Sequence, residues 1–336
     1  MATIVFFPEG AFGPTNNCVG IGDVLRRRGH RVVFIVEDNV VGFPALPASG
    51  RPWVRIVSCN PAELKDPDIA PTFSGYAASD RSGWDEFRAE YERTHRELWS
   101  EFDTFMRENG APPLPDLEFI HESPTLNLFL YPEEADYPRA RPLAPTWHRL
   151  DSCVRATEDE WLELADFEGD GALVYLSLGS LGSADVELMR RLVATLADSP
   201  QRFVVSKGPQ HDQYELADNM RGAEFLPQTT ILPHADLVIA HGGNNTVTEC
   251  FHFGKPMIVL PLFWDQYDNA QRVDELGFGL RLDTYGHEPD ELRSAVEGLL
   301  ADDAMRARMR PIAERLQSSP GTTRAANLIE GAAATS

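Results

Sequence analysis

The chain has 336 residues, enough on the usual scale of roughly 100–200 residues per domain for two domains with substantial cores. Its apolar share of 43% and charged share of 24% are those of an ordinary globular protein. A formal net charge of -22 argues against nucleic acid or an anionic membrane surface as partner, because both need positive surface to release counterions or meet headgroups. No apolar run approaches the ~18–20 residues of a membrane span, so no integral membrane segment is expected. Met1-Ala2-Thr3-Ile4 enters a strand without a basic n-region, unlike a signal peptide. Cys18, Cys59, Cys153 and Cys250 are widely spaced with no CxxC pair, which fits a reduced, cytoplasmic chain. Nothing in the sequence indicates an oligomeric state.

Residues 4–7 form a short, continuously apolar strand. A turn over 8–17 leads into a helix over 17–28 that Gly29 closes, and 31–37 is the next strand; this β-α-β opening predicts a parallel sheet with right-handed crossovers. The basic run Arg26, Arg27, Arg28 and Arg31 reads as the solvated face of that helix. A short helix over 38–48 and a strand over 53–57 follow. Pro61, Pro67 and Pro71 make 60–82 a loop. Residues 84–108 have helical periodicity, with Trp84, Phe87, Tyr91, Leu98, Phe102 and Phe105 near one face. Such a stripe reads first as core, and its edge at Trp84 as a wall for an apolar pocket. Residues 126–131 and 146–150 are strands. The acidic segment 151–170 reads as the connection between a first domain over 1–150 and a second over 171–325, with a flexible tail over 326–336.

The second half is more regular. A strand over 173–178 ends in Gly179-Ser180, an amphipathic helix over 185–196 has Ser183 as its expected cap, and a strand over 202–206 ends in Lys207-Gly208. A short strand over 224–226 precedes a strand over 237–240, a Gly-rich turn over 241–244 and a helix over 245–253 with a Gly-Lys-Pro stop. A strand over 257–260 and closing helices over 289–300 and 303–316 complete the chain. Apolar runs that each end in Gly or polar residues are the pattern of parallel strands with a ligand at their carboxyl ends.

The phrase HGGNNTVTE, residues 241–249, carries the sharpest chemistry. Gly242 and Gly243 let the backbone approach a ligand closely, and the unpaired N–H groups at the helix start suit a diphosphate. Asn245 and Thr246 can add side-chain donors. Glu249, two helical turns beyond His241, can accept from a ribose diol. By itself the phrase also reads as a plain Gly-rich turn with a capped helix. Asp265 and Gln266, at the end of the following strand, set a carboxylate beside an amide, which suits a polyhydroxyl ring. Phe225 and Gln228 lie at an earlier strand end, where an aromatic face can stack on a base.

Together these residues resemble the donor-binding box of family 1 glycosyltransferases, the UDP- and dTDP-sugar-dependent enzymes of the GT-B fold. The resemblance covers the second half and, more loosely, the first helix and strands. It implies an α/β protein of two Rossmann-like domains facing each other across a cleft. It further implies that Phe225 stacks on uracil or thymine with Leu226 backbone groups at the base edge, and that Gln228 and Glu249 meet the ribose. The diphosphate then falls to Ser180, His241, Gly242, Gly243, Asn245 and Thr246, and the sugar hydroxyls to Asp265 and Gln266. The family needs no metal and no cofactor beyond the nucleotide sugar.

The first domain departs from the family. Members place a catalytic histidine 18 positions before the histidine of Arg-Gly-His; here 30 − 18 = 12, and that residue is Phe12. Glu9, in the same loop, and Asp38, in the place of the histidine-orienting aspartate, are the remaining candidate bases. Phe12 and Trp84 are then assigned to the acceptor side. The run after Phe34 passes almost directly from one family strand into another, so a βα unit is missing and the domain is shortened.

Two other features read as structure. Gly20-Ile21-Gly22 lies inside a helix, not at a strand end, and Asp66-Pro67-Asp68 lies in a Pro-rich loop. The resulting expectation is an inverting, metal-independent transfer of a hexose from a UDP- or dTDP-sugar to a small, partly apolar acceptor, with Gln266 favouring glucose over a deoxysugar. The alternatives are a nucleotide-sugar-binding homologue without transfer activity and a nucleotide-sugar epimerase of the same fold.

Overall fold

The computed structural model describes every residue except 9–11, 36–38, 162–166, 168 and 335–336. The chain divides into two compact units, Met1–Arg155 with Pro320–Ser336, and Ala156–Ser319.

In the first unit, strands β1 (Thr3–Phe6) and β2 (Arg31–Phe34) flank helix α1 (Phe12–Arg27) and pair in parallel. Pro14 sits in the first turn of α1, where a missing N–H costs nothing, so the helix begins earlier than the expected residue 17. Gly29 turns the chain out of α1 at φ +88, as a closing glycine should. After α2 (Asn39–Ala48) come β3 (Val54–Val57), the long α3 (Trp84–Glu108), β4 (Leu126–Phe129) and β5 (Trp147–Arg149). These last three strands form a separate parallel sheet, β3-β4-β5, which shares no ladder with β1-β2 among the described residues. The first domain is thus α/β and parallel, as the sequence indicates. Gly22 would bring a Cβ within 3.1 Å of the Phe34 ring, so the glycines inside α1 serve packing. The aromatic stripe of α3 is core only in part: Met106 is fully buried and Phe102 and Phe105 pack beside it, whereas Leu98 is 56% exposed.

The second unit holds one six-stranded, wholly parallel sheet in the order β11-β10-β9-β6-β7-β8. Its strands are β6 (Leu173–Ser177), β7 (Arg202–Ser206), β8 (Met220–Ala223), β9 (Leu237–Ala240), β10 (Met257–Val259) and β11 (Gly279–Arg281). Every residue of β6, β9 and β10 is buried, as continuous apolar strands in the middle of a parallel sheet must be. The crossovers are α4 (Gly179–Gly182), α5 (Val186–Leu196), α6 (Gln228–Ile231), α7 (Asn244–Phe253) and α8 (Gln266–Glu275), followed by α9 (Pro289–Ala301) and α10 (Asp303–Ser318). The expected strand over 224–226 is displaced to 220–223, and residues 224 and 225 form a bend beyond it.

The cap of α5 is also different from the expectation. Asp185, not Ser183, accepts from the Leu188 N–H at 3.0 Å, while the buried Ser183 hydroxyl donates to the Ser206 carbonyl at 3.3 Å. A carboxylate at the helix start also meets the positive end of the dipole. Asp185→Ala is therefore expected to lower stability by about 1 kcal/mol, read as a shift of the urea midpoint at constant slope, whereas a comparable loss confined to Ser183→Ala would contradict the assignment.

The tail is the main correction to the expected domain map. Helix α11 (Gly321–Ala334) returns to the first unit and buries Ala325, Ala326 and Ile329 against Cys18, Ile21 and Leu25 of α1. Small residues allow that approach: a Cβ on Gly321 would lie 2.0 Å from the Ser152 carbonyl oxygen. Arg324 pairs with Asp151 at 2.8 Å, and Glu330 pairs with Arg28 at 2.7 Å and His30 at 2.9 Å. Part of the basic run on α1 thus holds this helix instead of facing solvent. The acidic connection is likewise not all solvated, since Glu158 accepts from the Thr229 N–H at 2.8 Å and its hydroxyl at 2.7 Å.

Candidate functional site

The strand register of the second unit brings the expected site residues to one rim. Ala223, Ser206, Ser177, Ala240, Val259 and Arg281 lie side by side across the sheet, so whatever follows each strand emerges at the same carboxyl edge. His241 follows β9, Gly179 and Ser180 follow β6, Phe225 and Leu226 follow β8, and Asp265 and Gln266 follow β10. This is where open parallel sheets bind ligands. Phe225 is 50% exposed there.

His241 stands between two glycines. A Cβ on Gly243 would fall 2.5 Å from the imidazole Nε2, and one on Gly179 would fall 2.8 Å from it. Gly179 and Gly242 also adopt φ +70 and φ +86, the left-handed region that favours glycine. Burial pushes the His241 imidazole down to about 4, so at neutral pH the ring is uncharged and offers one N–H and one lone pair. Its Nδ1 and the Asn245 Oδ1 are buried without a hydrogen-bond partner among the described residues.

Helix α7 begins beside the ring. Its N-cap, Gly243, supplies no side-chain acceptor, which leaves first-turn N–H groups for an anion. The helix ends at Gly254 in the left-handed conformation, φ +67, as the Gly-Lys-Pro stop indicates.

Glu249 and Gln228 meet one another instead of both pointing to solvent. Glu249 is 1% exposed, and its two carboxylate oxygens accept from Gln228 Nε2 at 2.6 Å and Asn245 Nδ2 at 3.0 Å. Gln228 Nε2 also reaches the Thr246 hydroxyl at 3.3 Å. The carboxylate thus orients the two amides, a role that buried, fully engaged acceptors fill well.

Gln266 differs from the expectation in a similar way. It is 4% exposed, and its Oε1 accepts from the Leu262 N–H at 3.0 Å and the Phe263 N–H at 3.2 Å. Its acceptor is used to shape the turn before Asp265. Asn269, fully buried and one helical turn beyond Asp265, donates to the Gly242 carbonyl at 2.8 Å and to Asp265 Oδ2 at 3.4 Å. Asp265 stays partly exposed at the start of α8. Just before Asp265, Trp264 adopts φ +53 and leaves its side chain 61% exposed.

Sequence reasoning missed Gly179, Trp264 and Asn269 as site residues. Gly179 was findable, as a glycine directly after a buried strand, and Asn269 by its i+4 spacing from Asp265. Trp264 had no signal, because its positive φ is visible only in three dimensions.

The first-unit candidates fare differently. Glu9 and Asp38 lie outside the described residues; Phe12 is the first residue of α1, and its side chain is likewise outside them. Trp84 is 2% exposed, with the Arg81 and Arg88 guanidiniums 4.9 and 5.3 Å from the ring centre, so it is a packed core group and lines no open wall. Asp66 is occupied by backbone N–H groups of Asp68, Ala140 and Arg141.

Comparison with known proteins follows the same lines. The family model for the erythromycin biosynthesis protein CIII-like C-terminal domain matches residues 190–331. The chain is 32% identical over 164 residues to the NDP-glycosyltransferase YjiC of Bacillus subtilis, covering 48% of this chain and 42% of that protein. It is 30% identical over 241 residues to the oleandomycin glycosyltransferase of Streptomyces antibioticus, covering 70% of this chain and 55% of that one. The chain thus spans about half the length of these curated relatives. Among solved structures, the glycotransferase of kitacinnamycin superposes with a TM-score of 0.75 at 23% identity over 98% of both chains, a likeness of fold. Among the described residues, no helix is long and apolar enough to cross a membrane. Motif, strand-end geometry, relatives and fold agree, and the chain belongs to the family 1 glycosyltransferases of the GT-B fold.

Proposed function

We propose that this protein transfers a sugar from a nucleoside-diphosphate sugar to a small, partly apolar acceptor, with inversion and without a metal. The supporting observation is the uncharged His241 ring held between Gly179 and Gly243 at the open start of α7. There the first-turn N–H groups, the imidazole N–H and the Thr246 hydroxyl can stabilise charge growing on a departing diphosphate, while an acceptor hydroxyl attacks the anomeric carbon in line. In this reading Ser180 adds a phosphate contact, Phe225 stacks on the base with Leu226 at its edge, and Gln228 meets the ribose, oriented by Glu249. Asp265 accepts from the sugar hydroxyls, and Gln266 and Asn269 fix its approach. A hexose is the proposed sugar and UDP or dTDP the proposed carrier. Glu9 or Asp38 would supply the base, unless the acceptor is an amine, carboxylate or acidic phenol that needs little help.

Phe12, in place of the family histidine, favours keeping a second reading, a nucleotide-sugar-binding homologue without transfer activity. Titration calorimetry with UDP-glucose and dTDP-glucose, beside a product assay over mixed phenol, alcohol and amine acceptors, separates the two. Binding with glycoside formation is the expected result. Binding with no product from any acceptor class would establish the second reading, and no binding of either nucleotide sugar would overturn both.

A further inference from the structure

A cavity of about 330 Å³ lies wholly within the first unit, between residues 62–72, the early turns of α3 and residues 116–117. Ala62, Ile69, Ala70, Pro71 and Phe87 give it apolar walls, and Thr72 and Tyr91 are its hydroxyl-bearing lining residues.

The charged side chains at its margin are already engaged. Arg88 donates to the Ile69 carbonyl at 2.9 Å. Lys65 donates to the Leu117 carbonyl at 2.8 Å and pairs with Glu118 at 3.1 Å. Arg96 pairs with both Glu92 and Asp116, and Asp66 is held by backbone N–H groups. A charged ligand would have to break these pairs or be buried without a partner, and either is costly.

What remains for a ligand is neutral. Burial, with Glu63 and Glu118 nearby, pushes the Tyr91 phenol up to about 12, so it is a hydroxyl at any physiological pH. Thr72 is 5% exposed and touches Glu63 only through a long 3.4 Å hydrogen bond, and burial holds that carboxyl above the usual range. The volume is at the lower end of the range of about 300–1,000 Å³ typical of small-molecule sites.

We propose that this cavity binds an uncharged, largely apolar small molecule through a hydroxyl group that hydrogen-bonds Tyr91 and Thr72. Naming that molecule the acceptor, or the apolar part of one, rests on the transfer reading above; the binding itself does not.

The test uses the full chain without nucleotide. N-phenyl-1-naphthylamine, a neutral fluorescent probe, should bind and be displaced by 2-naphthol. Its anionic relative 8-anilino-1-naphthalenesulfonate should bind at least about tenfold more weakly, because its sulfonate finds no free cation. Glu92→Trp, at an exposed position on the mouth, should abolish probe binding, while Glu92→Gln, which removes the same charge without the bulk, should retain it. Tyr91→Phe should weaken 2-naphthol by about fivefold, the size of one neutral hydrogen bond, and leave the probe within about twofold. Equal affinity for the sulfonate, unchanged binding in Glu92→Trp, or an unaffected naphthol in Tyr91→Phe would each overturn the proposal. A parallel UDP titration keeps the two readings apart: probe binding without UDP binding would sink the transfer reading alone, and the reverse would sink this one alone.

Discussion

Replacing His241 by alanine is expected to lower turnover with a nucleotide sugar by about 10²–10³-fold, the cost of removing one preorganised donor from a developing negative charge. The effect should appear mainly in kcat, since the interaction is proposed to strengthen as the diphosphate leaves. His241→Gln, which restores an N–H donor, should recover part of the loss. The pH dependence discriminates further. With the ring driven down to about 4 by burial, the acting form is the neutral imidazole, so the ratio of wild-type to variant rates should be flat from about pH 6 to pH 8. A ratio that collapses as pH rises through the ordinary histidine value would show a charged ring and refute this account. The same shift has a stability consequence. The unfolded ring takes up a proton near its ordinary value and the folded ring only near 4, so the unfolded state binds more protons between the two. Stability is therefore lost as pH falls through that window, and His241→Ala should flatten this part of the curve.

The second large effect is expected at Glu249. Its carboxylate is 1% exposed and receives both Gln228 and Asn245, so alanine removes the acceptor from Asn245 Nδ2 and leaves Gln228 Nε2 only its longer bond to the Thr246 hydroxyl. An orphaned donor costs about 1–3 kcal/mol if it stays buried, and the two amides lose the orientation proposed for ribose and diphosphate contact. Glu249→Ala is expected to raise the dissociation constant of UDP by at least about tenfold and to lower the unfolding midpoint. Glu249→Gln should fall between, because Gln228 and Asn245 bond different carboxylate oxygens and the amide replaces one of those acceptors with an NH2 donor. Calorimetry with UDP checks the first effect and urea titration the second. Unchanged UDP affinity in Glu249→Ala would remove this residue from the site and leave it a core group.

Much of this arrangement was legible in the sequence because its signals are local. The Gly-rich turn at 241–244, the apolar strands on either side and the glycine stop after α7 follow from backbone freedom and continuous burial within a few residues. The extent of α3 was equally plain, since 3.6-residue periodicity persists over 25 residues. Local pattern failed where two weak signals competed. Asp185 and Ser183 are both good caps, and only the approach of β7, whose Ser206 carbonyl takes the Ser183 hydroxyl, decided between them. The bend at 224–225 was read as a strand because its residues are half apolar, whereas the ladder with β7 ends at Ala223.

Residue types alone determined a parallel α/β chain with a Gly-rich turn and helix start after the strand at 237–240, because an apolar strand and a glycine turn specify those locally. The tertiary structure decided which polar groups bond to one another at the strand ends. Glu249 and Gln266 were legible as hydrogen-bonding groups, but their partners come from Gln228, 21 residues upstream of Glu249, and from the Leu262–Phe263 turn. Tertiary packing also carried the end of the chain back to α1, where the Ala-rich stripe of α11 gains apolar contact that composition alone could not foretell.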